Sequence, residues 1–273
     1  MEPCAGSVRC LPLRTPTLPP ATHTNTYLLG EGELAVVDAA SPYLEEQAAL
    51  DRCLDALAAR GERVVELLLT HHHIDHVSGT AHLAKRLGVP VAAHPLTAQL
   101  VRGRMAVSRE LDEGSVLRYG KAEFHALFTP GHAPGHLVFF EPRSGALVAG
   151  DMVASVGTII IDPPEGNMRR YLESLERLRA LDGLRCILPA HGPPVEQPQQ
   201  LLAFYLAHRL EREARVVAAL VQGAATLEKL VPLAYPEVAL SVYPLAARSL
   251  LAHLIKLRDE GRAVENNGFW QSA

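Results

Sequence analysis

Three histidines and one aspartate lie within six residues of the chain, at His71, His73, Asp75 and His76. Imidazole nitrogens and carboxylate oxygens together suit zinc, and manganese or iron also accept such a donor set. Four ligands from one short segment exceed what a single ion with an open coordination position needs, so the pattern favours two ions. A string of solvated histidines is the alternative interpretation of this segment.

Three further candidate ligands appear later in the chain, each after a segment with the pattern of a strand. They are His132 after residues 124–128, Asp151 after residues 146–149, and His191 after residues 186–188. With the first cluster they make a set of seven. A carboxylate such as that of Asp151 can bridge two cations, which agrees with a two-ion site.

The elements around the first cluster predict that it lies on a loop between a strand and a helix. Residues 64–69 form an apolar, β-branched run typical of a buried strand, and residues 78–87 have a helical pattern that ends at Gly88. Open α/β sheets place their sites at the carboxyl ends of strands. We therefore expect the histidine cluster at such an edge.

The remaining patterns up to residue 198 predict two sheets flanked by helices. Strand patterns cover residues 26–30, 34–38, 64–69, 89–93, 124–128, 137–140, 146–149 and 186–188. Helix patterns cover residues 44–60, 78–87 and 167–181. The first twenty residues are rich in proline and predict an irregular leader or an edge segment.

The chain changes character near residue 200, so we expect a larger domain over residues 1–200 and a small one over residues 201–273. Two helix patterns, residues 199–220 and 245–260, flank a third short helix for which Thr226 is a predicted N-cap. Residues 261–264 and 268–270 indicate a two-stranded wing. This order is typical of a winged helix-turn-helix.

Composition limits the classes of function. Apolar residues make up 48% and charged residues 21% of the 273 residues, which is ordinary for a soluble globular protein. A formal net charge of −4 provides no electrostatic argument for nucleic acid or anionic membranes. The four cysteines show no paired spacing, and no apolar run has the length of a membrane span or a signal peptide. We expect a cytoplasmic protein with no membrane partner.

In their order and spacing, the seven residues resemble the metal-binding motifs of the metallo-β-lactamase superfamily, over roughly residues 23 to 195. The resemblance implies an α+β fold, an αβ/βα sandwich of two mixed β-sheets flanked by helices, with a binuclear site at one edge. It implies two divalent metal ions, zinc first, with Mn²⁺ or Fe as alternatives. It implies that one ion takes His71, His73 and His132, and the other Asp75, His76 and His191, with Asp151 bridging.

The same resemblance implies a hydrolase that uses a metal-bound hydroxide. Coordination lowers the pKa of water from about 15.7 towards about 7, which makes a nucleophile at neutral pH. Asp75 would ligate one ion and orient or deprotonate that water, so we expect Asp75 to be catalytic. Asp151 stands where some true β-lactamases carry a cysteine, which argues against β-lactam hydrolysis.

The C-terminal region resembles the winged-helix extension of the beta-lactamase-like protein 2 group, at residues 205–209, 226–230 and 249–257. That group implies an endoribonuclease acting on single-stranded RNA, so an RNA phosphodiester is the first expected substrate. The alternative is an acyl hydrolase of a small thioester or lactone, with glyoxalase II-like chemistry. A regulator without turnover is the third.

The charge of the C-terminal region does not discriminate among these roles, because residues 201–273 contain eight Lys or Arg and seven Asp or Glu. The winged helix would then contact RNA, or else serve packing, dimer formation or placement over the pocket.

Other conspicuous residues have structural interpretations. His72 alternates with two candidate ligands and should point away from the site. His136 is expected to pack beside the ligands, and Tyr171 to pack within its helix. Residues 25–27 begin the predicted hairpin and are candidates for the pocket wall.

Overall fold

A computed structural model describes residues 2–273 of the chain. The backbone divides into two compact units. The first unit comprises the chain up to Thr129 together with Pro134–Ile159 and Leu181–Pro198. The second comprises Pro130–Ala133, Ile160–Ala180 and Gln199–Ala273.

A seven-stranded mixed sheet forms one layer of the first unit. Its strands follow chain order: β1 Glu2–Ala5, β2 Val8–Arg14, β3 His23–Glu31, β4 Glu33–Val37, β5 Arg63–Leu68, β6 Val91–Ala93 and β7 Arg109–Glu110. The first four strands pair antiparallel, and β4 to β7 pair parallel. The carboxyl ends of β4, β5 and β6 therefore meet at one edge of this sheet.

A five-stranded sheet forms the second layer of this unit. Its strands are β8 Val116–Tyr119, β9 Ala122–Phe128, β10 Leu137–Glu141, β11 Ala146–Gly150 and β12 Cys186–Pro189, in the order β12-β11-β10-β9-β8. Only β11 and β12 pair parallel among these five. Buried side chains from both sheets, such as Tyr27, Leu68, Phe124 and Phe139, share one core, which confirms the predicted two-sheet sandwich.

Helices cover the outer face of the seven-stranded sheet. They are α1 Leu44–Ala58, α2 Ile74–Val77, α3 Thr80–Leu87 and α4 Pro95–Leu100. Leu50, Leu54 and Leu57 repeat at helical spacing along α1 and bury themselves against the sheet residues Val36 and Leu67. The helix expected over residues 44–60 is thus confirmed to within two residues of its C-terminal end.

The second unit is mainly helical. Its helices are α5 Met168–Arg179, α6 Pro198–Leu220, α7 Leu227–Ala234 and α8 Tyr243–Asp259. A three-stranded sheet has the order β13-β15-β14, from Ala225–Thr226, Phe269–Ser272 and Ala263–Asn266. These elements enclose a core that includes Leu230, Leu250, Leu254 and Trp270. The predicted winged helix is confirmed, and Thr226 occupies the N-cap position of α7.

The domain boundary expected at residue 200 stays a prediction. In the division by contacts, α5 falls into the second unit with the C-terminal helices.

The proline-rich first twenty residues are not an irregular leader, because they contain β1 and β2. The alternative expectation, an edge segment, describes β1, which lies at the end of the sheet order. Proline has no backbone N–H, yet Pro12 is tolerated in β2. The pairing of β2 with β1 reaches only Cys10, so no strand on the β1 side needs a donor at Pro12. The sequence patterns also did not predict strands β7 and β8 or helix α4.

No helix among residues 2–273 combines the length and apolar character that a membrane span requires.

Candidate metal centre

The histidine cluster occupies the loop at the carboxyl end of β5, as its sequence context predicted. His71 and His72 follow the strand, His73 is the N-cap of α2, and α2 itself carries Asp75 and His76. His71 and His76 are fully buried, whereas His73 and Asp75 are partly exposed. A single short strand-to-helix loop therefore points four donors to one edge of the sandwich.

Asp38, at the end of β4, orients two members of this cluster. Its Oδ1 accepts a hydrogen bond from the backbone N–H of Thr70 at 2.9 Å, and its Oδ2 accepts from the Thr70 hydroxyl at 2.6 Å. The same Oδ2 lies 2.8 Å from Nδ1 of His76, so Nδ1 carries the proton and donates it. Nε2 of His76 is then turned towards Asp151, where it can bind a cation or, in the metal-free protein, carry a second proton.

The role of Asp38 was not predicted from the sequence. The available signal was an aspartate directly after an apolar strand, Glu33–Val37, which is a weak pattern on its own. Asp38 is buried and has a φ of 53°, a backbone conformation that aspartate tolerates better than most residues. Only the pairing of β4 with β5 shows that it lies beside Thr70.

Thr70 relays the same orientation to His71. Because its hydroxyl donates to Asp38, its oxygen is free to accept a hydrogen bond from Nδ1 of His71 at 3.0 Å. This leaves the lone pair of His71 on Nε2, which lies 3.0 Å from Nδ1 of His73. Two ring nitrogens at this separation repel unless a proton or a cation lies between or beside them.

Asp75, His76, Asp151 and His191 bring their donor atoms together on the other side of the cluster. Nε2 of His76 lies 3.4 Å from Oδ1 of Asp151 and 4.0 Å from Oδ2 of Asp75. Nε2 of His191 lies 3.3 Å from the same Asp151 oxygen and 3.6 Å from the same Asp75 oxygen. One oxygen of Asp151 thus faces two imidazoles, as a bridging carboxylate would.

The charges of this group act on one another strongly. Burial lowers the pKa of His76, but the carboxylates of Asp151 and Asp75 outweigh burial and hold that pKa well above its usual value. Burial raises the pKa of Asp151, and the neighbouring His76 and His191 outweigh it and hold that pKa well below its usual value. The pKa of His191 is also raised, because Asp151 outweighs the effect of burial. In the absence of a cation, protons supply the positive charge that these carboxylates attract.

Three residues of β3 hold the loop that carries His191. Nδ1 of His191 donates to the carbonyl of His23 at 3.0 Å, which directs Nε2 into the cluster. The side-chain amide of Asn25 donates to the carbonyls of Pro189 at 2.9 Å and Gly192 at 2.8 Å. The Tyr27 hydroxyl also donates to Pro189, at 2.7 Å. Asn25 and Tyr27 thus support the ligand loop.

His136 packs behind the cluster, as expected. It is fully buried, and its Nε2 accepts a hydrogen bond from the backbone N–H of Asp151 at 3.1 Å. Its Nδ1 therefore bears the proton and donates to the Thr129 hydroxyl at 2.9 Å. With both nitrogens engaged, His136 positions Asp151 and has no lone pair to offer a cation. His72 is buried too, and its exclusion from the ligand set stays a prediction.

His132 belongs to the second unit. A hydrogen bond orients its ring, and the close packing of Gly131 against α5 fixes the backbone just before it. Its Nδ1 donates to the carbonyl of Ile160 at 2.9 Å. Gly131, just before it, has a φ of 133°, and a Cβ at that position would lie 2.3 Å from the backbone of Tyr171 in α5. Only glycine fits this approach. The role of His132 as a ligand stays a prediction from the sequence.

The donor set fits the metal ions that the fold implies. Two donors bound to one tetrahedral ion at about 2.0–2.1 Å are separated by about 3.3 Å. The distances of 3.0 Å for His71 to His73, 3.4 Å for His76 to Asp151 and 3.3 Å for His191 to Asp151 lie close to that value. Nε2 of His76 is buried and lacks a partner at normal hydrogen-bond geometry within residues 2–273, a costly state that a cation would relieve.

Two groups of donor atoms within the first unit lie close enough to hold an ion. One is formed by His71, His76 and Asp151, and the other by Asp75, His76 and His191. In each group all donor atoms lie within 4.8 Å of one another. With His73 beside His71, six of the seven predicted ligands are therefore brought together at one edge of this unit.

Comparisons with known proteins agree with this geometry. The sequence profile of the metallo-beta-lactamase superfamily matches residues 19–191, and that of the beta-lactamase associated winged helix domain matches residues 226–270. A metallo-beta-lactamase family protein from Thermus thermophilus is 26% identical with a TM-score of 0.81, over 98% of this chain and 99% of that chain. A solved protein in a di-iron-bound form is 29% identical with a TM-score of 0.53, over 70% of this chain and 96% of that chain.

Curated relatives carry several different names. An atrochrysone carboxyl ACP thioesterase from Aspergillus fumigatus is 30% identical over 72% of this chain and 59% of that protein. The beta-lactamase-like protein 2 homolog of Drosophila melanogaster is 28% identical over 88% of this chain and 83% of that protein. A hydroxyacylglutathione hydrolase from Cereibacter sphaeroides is 32% identical over 66% of this chain and 67% of that protein. The chain thus spans about three-fifths of the length of the thioesterase.

By fold, motif order and profile match, the chain belongs to the metallo-beta-lactamase superfamily and carries a beta-lactamase-associated winged helix domain.

Proposed function

We propose that this protein is a metal-dependent hydrolase whose metal centre is formed by the six predicted ligands that the first unit brings together. The observation that carries the proposal is the oriented donor set, in which His71, His76 and His191 each bind a protein oxygen through Nδ1 and turn Nε2 inward. Such orientation fixes the tautomer that a metal requires. Two bound cations would supply an activated water molecule and polarise the bond under attack.

The protein's own groups have distinct tasks in this proposal. Asp75 is partly exposed and lies beside His191, so it is placed to orient the water that attacks the substrate. Asp38 and His136 act through the residues they hold, since Asp38 binds Thr70 and His76, and His136 binds the backbone of Asp151. Nitrogen and oxygen donors without a thiolate accept zinc, iron or manganese. Zinc is our first choice of metal, and the di-iron form of one similar structure keeps iron as the alternative.

We propose an acyl thioester as the substrate class. Two relatives at 30% identity or above are named as an acyl carrier thioesterase and a hydroxyacylglutathione hydrolase. Both names describe hydrolysis of a thioester. The sequence favoured an RNA phosphodiester first and a small acyl substrate second. We now prefer the acyl substrate because of the ion pairs in the second unit.

That arrangement concerns the cations of the winged-helix region. Six of its eight Lys and Arg side chains form ion pairs with acidic side chains, namely Arg212, Arg215, Arg248, Lys256, Arg258 and Arg262. A surface that binds RNA phosphates needs cations that are free to replace counterions. Pairing with carboxylates on the same unit reduces that capacity, so the region lacks a strong electrostatic footprint for RNA.

Single-stranded RNA is the second candidate. The observation that favours it is the alignment with the beta-lactamase-like protein 2 homolog, which covers 88% of this chain and therefore includes much of the winged-helix region. The thioesterase alignment covers 72% of this chain. An RNA phosphodiesterase would use the same donor set, since cations stabilise a developing phosphorane charge as well as an oxyanion.

The test is a turnover panel on protein loaded with zinc, with iron or with manganese. Substrates are an acyl thioester, a single-stranded RNA oligonucleotide and an acyl lactone, each with wild type, His76→Ala and His82→Ala. His82 pairs with Asp51 on the outer helices, so its variant is the matched histidine control. We expect thioester cleavage that His76→Ala abolishes and His82→Ala keeps. RNA cleavage with the same variant pattern, and no thioester cleavage, would establish the second candidate instead.

A further inference from the structure

A cavity of about 640 Å³ lies next to the His191 loop within the first unit. Strands β1, β2 and β3 form one side of it, and residues 192–194 and Val156 form the other. Its volume falls within the range of about 300–1,000 Å³ typical of small-molecule sites. No residue of the predicted metal set lines it.

The wall of this cavity is mostly apolar and stiff, with polar side chains at Glu2, Thr22, His23 and Asn25. Five prolines contribute to it, namely Pro3, Pro12, Pro20, Pro193 and Pro194. Proline has no backbone N–H and a fixed φ, so it offers neither donors nor much rearrangement to a ligand. None of the fifteen lining residues is Lys or Arg, and the only carboxylate among them is that of Glu2. An uncharged apolar group fits this wall, whereas a phosphate does not.

Residues of the cavity wall contact the loop that carries His191. Gly192 follows His191 directly in the chain, and the carbonyl of His23 accepts the hydrogen bond from Nδ1 of His191 at 3.0 Å. The side-chain amide of Asn25 donates to the carbonyl of Gly192 at 2.8 Å. His23, Asn25 and Gly192 all line the cavity, so its wall adjoins the loop that positions the His191 ligand.

We propose that this cavity binds the apolar acyl chain of the substrate. The proposal rests on the thioester function proposed above and specifies its substrate as a thioester with a hydrocarbon chain of several carbons. Burial of each CH₂ group in the cavity stabilises the complex by about 0.8 kcal/mol, which is roughly a fourfold gain in kcat/KM per CH₂ until the cavity is full.

Chain-length dependence is the first test. We expect kcat/KM of the wild type to rise about fourfold per CH₂ between acetyl and octanoyl thioesters. Cys10→Phe, which fills the cavity, should remove this dependence, whereas Cys53→Phe, on α1 and also half-buried, should keep it. Thioester turnover that is independent of chain length in the wild type would refute the cavity proposal and leave the thioester function standing.

Protection of a thiol is the second test, and it needs neither turnover nor a variant. Cys4 lines the cavity, and a hydrogen bond from the Cys10 thiol lowers the pKa of Cys4, which favours its alkylation. With decanamide, an uncharged acyl compound, we expect alkylation of Cys4 by N-ethylmaleimide to slow at least fivefold, and alkylation of Cys53 to stay unchanged. Equal alkylation of Cys4 with and without decanamide would refute binding. Protection without any thioester turnover would support the cavity and refute the proposed function.

Discussion

Replacing Asp38 by asparagine should disable one metal position while preserving the shape of the site. In the wild type, Oδ1 of Asp38 accepts from the Thr70 backbone at 2.9 Å, and Oδ2 accepts from the Thr70 hydroxyl at 2.6 Å and from His76 at 2.8 Å. In Asp38→Asn, the amide oxygen must stay with the backbone N–H, because that buried donor has no other partner available there. The amide NH₂ then faces His76.

The consequence is a change of tautomer. An NH₂ group opposite Nδ1 of His76 donates to it, so the ring proton moves to Nε2, the nitrogen that turns towards Asp151. Loss of a partner that orients a metal-binding histidine costs about 10- to 100-fold in metal affinity. This corresponds to about 1.4–2.7 kcal/mol for one of the two ions. The loss should be larger for the ion assigned to Asp75, His76 and His191 than for the ion assigned to His71 and His73, which Asp38 reaches only through Thr70.

Competition with a chelator of known affinity measures both binding steps, and ¹⁵N-detected imidazole resonances report the tautomer of His76. Asp51→Asn is the matched control, because Asp51 pairs with His82 at 3.0 Å on the outer helices. We expect two tight ions in this control and one tight and one weakened ion in Asp38→Asn. Two wild-type affinities in Asp38→Asn, or an equal loss in Asp51→Asn, would refute the reasoning.

Three further predictions concern pH and backbone. The pKa values of His76 and His191 are raised, so their protonation stabilises the metal-free protein. This contribution is full below about pH 6.5 and is lost as pH rises through the raised pKa values. Urea unfolding of the metal-free protein at several pH values measures the free energy of unfolding and so tests this. The pKa of the buried His253 is lowered, mainly by burial, so its protonation should destabilise the second unit as pH falls below about 6.5, an effect that His253→Leu should abolish in the same assay. Gly131→Ala should cost more stability than Gly183→Ala, by roughly 1–3 kcal/mol, because both have positive φ but only the former meets backbone within 3 Å; equal melting temperatures would contradict this.

Much of the fold was predictable because its elements carry local signals. The helix at residues 44–60 combines apolar positions at helical spacing with Gly61, and the structure ends that helix at Ala58. Strands β4 and β5 appear as continuous apolar runs because both of their faces are buried. Strands β1, β2 and β8 were missed because they are short, half-exposed or interrupted by proline, so their pairing rather than their pattern determines them.

The candidate ligands were recognisable from the sequence alone, because the chemistry of metal binding restricts each position to histidine or a carboxylate. The fold, the winged helix and the family followed from motif order and from the strand and helix patterns and are confirmed, whereas the boundary at residue 200 stays a prediction. Only the tertiary structure showed what orients the ligands, since Asp38 and His136 approach Thr70 and Asp151 across strands that are distant in sequence. The same holds for the apolar cavity, whose walls come from both ends of the first unit. Ligand identity is a local property of the chain, whereas tautomer, charge and cavity depend on contacts that exist only after the strands have paired.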